Sequence, residues 1–210
     1  VTFKNYDGTN FEVQQIEEGD KATMPFNTPQ YDGTIFNFWK FEFSQSISSN
    51  KIIYGNFTLI TYNIEYELYS GNNDIANPNS YTVSTNSITL KDPHKAHFDF
   101  LGWYNNPNFS GSAVSQIKKG SIGNIKLFAK WQIHNYSISY NLNGGENSSE
   151  NPNVFTISDL PFQLHEPTKK GYKFICWESN GKEIQQINTS TDFSLVAKWE
   201  LINYKITYDL

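Results

Sequence analysis

The chain repeats itself, and that limits its fold more than any other feature. Tyr136-Ser-Ile-Ser-Tyr-Asn-Leu142 returns as Tyr62-Asn-Ile-Glu-Tyr-Glu-Leu68 and as Tyr204-Lys-Ile-Thr-Tyr-Asp-Leu210, at spacings of 74 and 68 residues. Leu127-Phe-Ala-Lys-Trp131 returns as Leu195-Val-Ala-Lys-Trp199. Between these, the segment from Leu90 to Trp103 aligns with the segment from Leu164 to Trp177. A weaker copy opens the chain, where Pro29, Phe36 and Trp39 fall at the places of Pro93, Phe100 and Trp103. Val1-Thr-Phe3 and Gly8 likewise match Ile138-Ser-Tyr140 and Gly145. A fixed period of this size signals one supersecondary unit per repeat. The expected modules are a divergent, N-terminally truncated one over 1–60, one over 62–131, and one over 135–199. Residues 204–210 read as the first strand of a further truncated module.

Within a module the residue types alternate with period two. Tyr136, Ile138, Tyr140 and Leu142 share one face while Ser137, Ser139 and Asn141 share the other. This is the pattern of a half-buried strand, closed by the turn Asn143-Gly144-Gly145. Phe193, Leu195, Ala197 and Trp199 repeat it at the module's end, and Val154–Ile157 and Tyr172–Trp177 supply two more strands. Pro93 and Pro167 precede the third strand, where a missing N–H costs no ladder bond. Ala113–Ile117 is the one stretch read as able to form a helical turn. The fold expected is mainly β to α+β, about four short strands per module over an aromatic core.

Composition narrows the function. Tyr 13, Phe 16 and Trp 5 give 16% aromatic residues, too many for a disordered polyelectrolyte. All 16 basic residues are Lys and the net charge is −5, which argues against phosphate or nucleic-acid partners. No apolar run approaches the ~18 residues of a transmembrane helix, so no membrane insertion is expected in this segment. Cys176 is the single cysteine, which excludes an internal disulfide.

Ile-x-Tyr-x-Leu, Asn-Gly-Gly, Pro-x-Lys-x-Gly-Tyr-x-Phe-x-x-Trp and Leu-x-Ala-Lys-Trp together resemble the Listeria–Bacteroides repeat family, which includes the B-repeat of internalin-type bacterial surface proteins. The resemblance implies tandem β-grasp-like modules on secreted or wall-attached proteins, with stalk and adhesion roles. It implies an extracellular location at the cell surface or cell wall, and a host or neighbouring surface protein as partner. His97 stands at the Gly position of the middle copy, and the first module shows no Ala-Lys-Trp ending.

Trp39, Trp103 and Trp177 occupy one repeated position and Trp131 and Trp199 another, so they read as structural core. Tyr66, Tyr140, Phe100 and Phe174 belong to the same core. The rival reading is a carbohydrate-binding array with these rings exposed, and the accessibility of Trp103 and Trp177 discriminates the two. His94 and His97 are three apart, but Pro93 argues against the helix a zinc pair would need. Neither has a counterpart in the other modules, so no metal and no cofactor are expected. Asp and Glu side chains fall in turns such as Asp7-Gly8 and Asp32-Gly33, and no nucleophile motif is present, so no enzyme is expected.

The Asn-rich segments 71–79 and 146–153 read as mobile polar loops. The middle module carries six extra residues between Trp103 and Leu127, and Asn105, Asn106, Asn108 and Phe109 form its candidate partner-binding loop. Four-residue linkers, Gln132–Asn135 and Glu200–Asn203, follow each terminal Trp, which predicts an extended rod. At the first joint, counting from Leu59 leaves six residues missing before Tyr66, which predicts that strand 57–68 runs from one module into the next.

Overall fold

In the computed structural model, which describes residues 1–207, the chain is nearly all β. Module one contains β1 (Thr2–Lys4), β2 (Asn10–Val13), β3 (Thr34–Trp39) and β4 (Ile52–Leu59). Module two contains β5 (Tyr62–Glu67), β6 (Ser80–Tyr81), β7 (Ile88–Thr89), β8 (Phe98–Tyr104), β9 (Gln116–Ile117) and β10 (Ile125–Ile133). Module three contains β11 (Tyr136–Asn141), β12 (Val154–Phe155), β13 (Phe162–Gln163), β14 (Tyr172–Ser179), β15 (Lys182–Ile184), β16 (Gln186–Ile187) and β17 (Phe193–Leu201).

The three principal sheets share one order: β2-β1-β4-β3, β6-β5-β10-β8, and β12-β11-β17-β14 with β15 added at the edge. In each, the first strand runs antiparallel to the second and parallel to the last. The alternation sends one face of each sheet inward. In module three Ile138, Leu195, Ala197 and Trp177 meet Ile187 of the small ribbon β13–β16 and Phe155 of β12. The β7–β9 ribbon carries the buried Ile117 in module two. In module one Phe3, Trp39 and Ile53 form the cluster, ringed by Phe11, Phe36, Phe41 and Phe43.

Contacts divide the chain into two compact units, residues 1–94 with 101–130, and residues 95–100 with 131 onward. The first holds module one with most of module two, and the second holds module three with the start of β8.

Several expectations are corrected. Ala113–Ile117 forms no helical turn: Val114 bridges to Trp103 and Gln116–Ile117 is a strand. The one 3-10 turn among the described residues is Ile157–Asp159, capped by Thr156 and Asp159. Tyr204–Thr207 carries no strand, and the rest of the expected fourth copy, 208–210, lies outside the described residues. A first strand in this fold pairs with the last strand of its own module, and 202–207 has no such partner among the described residues.

The first joint also differs from its expected form. Phe174 faces Trp199 and Trp177 faces Ala197 across β14 and β17, while Phe36 faces Phe57 and Trp39 faces Gly55 across β3 and β4. Ile53-Tyr-Gly-Asn-Phe57 is therefore module one's version of Leu-x-Ala-Lys-Trp. Ile53 to Tyr66 is 13 residues, as is Leu127 to Tyr140, so nothing is missing. The linker is Thr58–Thr61, four residues like the others. Strands β4 and β5 enter separate sheets and form no hairpin with each other.

All three linkers are tied in the same way. The third linker residue donates its N–H to the carbonyl of a left-handed residue: Ile60 to Gly33 at 2.9 Å, His134 to His97 at 2.8 Å, and Ile202 to Gly171 at 3.0 Å. Those acceptors have φ of 73°, 65° and 80°. Only glycine adopts that region without steric cost, which accounts for the repeated Gly and makes His97 the exception.

Candidate interaction surfaces

The repeated aromatic residues face inward. Trp103 and Trp177 are each 2% exposed, and Trp39 is 5% exposed. The Trp103 indole donates to the Lys91 carbonyl and the Trp177 indole to the His165 carbonyl, both at 3.1 Å. Tyr66 and Tyr140 set their rings edge-on to those indoles at 5.2 Å. Their hydroxyls donate to the carbonyls of Pro78 at 2.8 Å and Pro152 at 2.9 Å. Burial pushes both phenols up to about 12, since the anion would lose its water.

Trp131 and Trp199 are half-buried and close the module. Phe100 lies 5.4 Å from Trp131, and Phe174 lies 5.6 Å from Trp199. The Lys of the Pro-x-Lys motif covers this end of the core. Lys169 Nζ sits 4.2 Å over the Tyr172 ring and 5.8 Å from Trp199. Lys95 does the same to Phe98 at 4.2 Å and Trp131 at 6.0 Å. Such cation–π contacts favour ordered burial of the lysine stem. Gly145 has no room for a Cβ, which would lie 2.5 Å from Trp199.

The Asn-rich loops are held by buried carboxamides. Asn151 donates to the His165 carbonyl at 2.9 Å and to Asn147 Oδ1 at 2.8 Å, and accepts from the His165 N–H at 2.8 Å. Asn77 repeats every bond on Lys91 and Asn73. In module one Gln14 clamps both polar groups of Thr23 in the same manner. Sequence reasoning missed these residues, although the 74-residue spacing aligns Asn77-Pro78 with Asn151-Pro152.

The candidate partner loop of module two is likewise ordered. Asn106 accepts from the Ser110 N–H at 3.1 Å and donates to its carbonyl at 3.0 Å. Phe109 packs 5.7 Å from Tyr104 and 6.2 Å from Tyr69, with Lys130 Nζ 5.9 Å from its ring. Asn105 and Asn108 are left exposed at the loop's surface.

The outer sheet faces differ by module. Lys198 pairs with Glu178 at 3.0 Å, and Lys126 with Glu65 at 3.5 Å and Glu67 at 3.9 Å. On module one the equivalent face carries exposed Val13, Ile35, Phe38, Ile52 and Tyr54.

His94 and His97 do not converge. His94 forms a backbone bridge with Asn72, whereas His97 Nδ1 lies 3.0 Å from the Tyr136 hydroxyl. Cys176 sits beside the β14 bulge, and burial pushes its thiol pKa up, with Glu183 and Glu178 adding to the shift. A raised thiol holds little nucleophilic thiolate.

The model of the Listeria-Bacteroides repeat domain matches residues 1–60, 62–130 and 136–198. The chain belongs to this family. It is 28% identical over 223 residues to a protein of Evansella cellulosilytica named provisionally as a Gly-rich membrane protein, covering 99% of this chain and 25% of that protein. A second protein of the same bacterium, named provisionally as a membrane protein, is 27% identical over 210 residues, covering 94% of this chain and 30% of its own length. The repeat array thus spans between a quarter and a third of the relatives it matches. No solved structure matches it. Among the described residues no helix is long and apolar enough to cross a membrane.

Proposed function

We propose that these repeats form a non-enzymatic spacer in a bacterial cell-surface protein, carrying a distal part away from its anchor and touching neighbouring surface proteins. The observation that carries this reading is the internal use of the repeated core side chains. The pairs Trp103 and Trp177, Tyr66 and Tyr140, Lys95 and Lys169, and Asn77 and Asn151 each make the same contacts within their own module, so what returns from repeat to repeat is a way of folding. The membrane-protein names of the relatives are consistent with placement at the cell surface. Protein contacts are assigned to the Asn105–Phe109 loop, where a rigid scaffold presents an insertion that module three lacks.

The spacer reading predicts that reach grows with chain length. With none, one or two copies of the 210-residue chain between a wall anchor and an epitope tag on a Gram-positive cell, antibody access to the tag should rise with each copy. Equal access in all three strains would contradict it.

A further inference from the structure

We propose that a cleft at the joint of modules one and two binds a short neutral oligosaccharide. This goes beyond the spacer reading, because the residues concerned are those that do not repeat. The cleft encloses about 750 Å³, within the roughly 300–1,000 Å³ typical of small-molecule sites. Tyr6, Tyr31, Asp7, Asp32, Gln30 and Lys119 line it.

Its aromatic wall is a replaced clamp. Module three has Asn143 and Lys169 where the repeat places Tyr6 and Tyr31, and there Lys169 Nζ donates to the Asn143 carbonyl at 2.6 Å. In module one the two positions instead bring rings together, with centroids 5.1 Å apart at 45°. Tyr6 is braced edge-on by Phe57 at 5.8 Å. The Tyr31 carbonyl accepts from the Thr34 N–H at 3.1 Å and hydroxyl at 2.7 Å, which fixes its backbone. The floor is close-packed, since a Cβ on Gly33 would collide with Val83 Cγ1.

The rim chooses the ligand class. Asp7 Oδ1 accepts from the Thr9 N–H at 2.9 Å and hydroxyl at 2.7 Å, and these bonds hold its carboxyl below the ordinary range. Among the described residues the side chains of Asp32 and Lys119 make no hydrogen bond or ion pair within the protein, and Gln30 at the cleft's rim donates a long bond of 3.4 Å to the Thr28 hydroxyl. Ionised carboxylates only accept, so two of them call for a ligand rich in O–H donors. A pyranose supplies those donors at its rim and presents C–H groups that suit the negative faces of tyrosine rings. A proline-rich peptide would stack on the rings but leaves the carboxylates without donors. Two carboxylates against one ammonium also disfavour acidic sugars.

The test is amide-resolved NMR of the 210-residue chain titrated with cellotetraose, chitotetraose, mannotetraose and maltotetraose, with tetragalacturonate and a proline-rich decapeptide as comparators. At least one neutral tetrasaccharide should produce saturable shifts at Gln30–Asp32, Ser84 and Lys119. Tyr31→Ala should weaken that binding about tenfold or more, a loss of at least ~1.4 kcal/mol. Asp32→Ala, at an exposed position, should weaken it with melting unchanged, which guards against a folding defect in the first variant. The proposal is overturned if no neutral tetrasaccharide binds at millimolar concentration, if both variants bind as well as the parent, or if only tetragalacturonate or the peptide binds.

Discussion

Asn151 grips both polar backbone groups of His165, accepting its N–H at 2.8 Å and donating to its carbonyl at 2.9 Å. One side-chain amide thereby does the work of a paired strand residue and ties the Asn-rich loop to the segment before the third strand. Asn151 is only 6% exposed, so its amide meets the His165 backbone away from solvent, and removing it takes away the partner of the His165 N–H.

Asn151→Ala should destabilise module three by about 2–3 kcal/mol. The His165 carbonyl keeps its bond from the Trp177 indole, so the orphaned group is the N–H. Asn153→Ala, at an exposed position in the same loop, should stay within about 0.5 kcal/mol. Urea denaturation followed by tryptophan fluorescence separates them, and equal midpoints would refute the clamp.

Gly33 and Gly171 share a left-handed backbone but not a neighbourhood. Gly171→Ala meets nothing within 4 Å and should cost only the conformational term, roughly 1–2 kcal/mol. Gly33→Ala adds a collision with Val83 and should cost clearly more. Adding Val83→Ala should recover part of the excess. Thermal melts by circular dichroism would contradict the tight joint if the two Gly variants shift equally.

Alkaline pH should loosen the modules through Tyr66 and Tyr140. Their folded pKa of about 12 lies above the ordinary value of 10, so the folded state holds its phenolic protons longer than the unfolded chain does. The stability they contribute is complete below pH 10 and is lost as pH rises from 10 through 12. Tyr66→Phe with Tyr140→Phe should flatten that alkaline loss while keeping the ring contacts. Stability in urea measured across this range checks it, and an unchanged slope in the double variant would count against burial as the cause.

Much of this fold was legible in the chain. Alternation placed the strands, and the shared position of Trp39, Trp103 and Trp177 placed the core. The last strand of module one was misread because its letters changed while its roles did not. Gly55 and Phe57 fill the places of Ala197 and Trp199, and only the pairing with Trp39 and Phe36 makes that visible. The carboxamide clamps were hidden for another reason. Asn is common in these loops as a solvated turn residue, and nothing local marks Asn77 and Asn151 as the buried ones. The Tyr6–Tyr31 pair escaped because its partners are 25 residues apart and take the place of an Asn and a Lys.

The repeated core residues serve the inside of each module, and amide hydrogen exchange on the 210-residue chain tests that most directly. The Lys91 and His165 amides lie outside the named strands, yet they should exchange as slowly as those of Leu127 and Leu195 at the sheet centres. Exchange of Lys91 and His165 at the rate of the exposed Asn79 and Asn153 would show that the loops are not clamped and that the shared network does not hold the modules together.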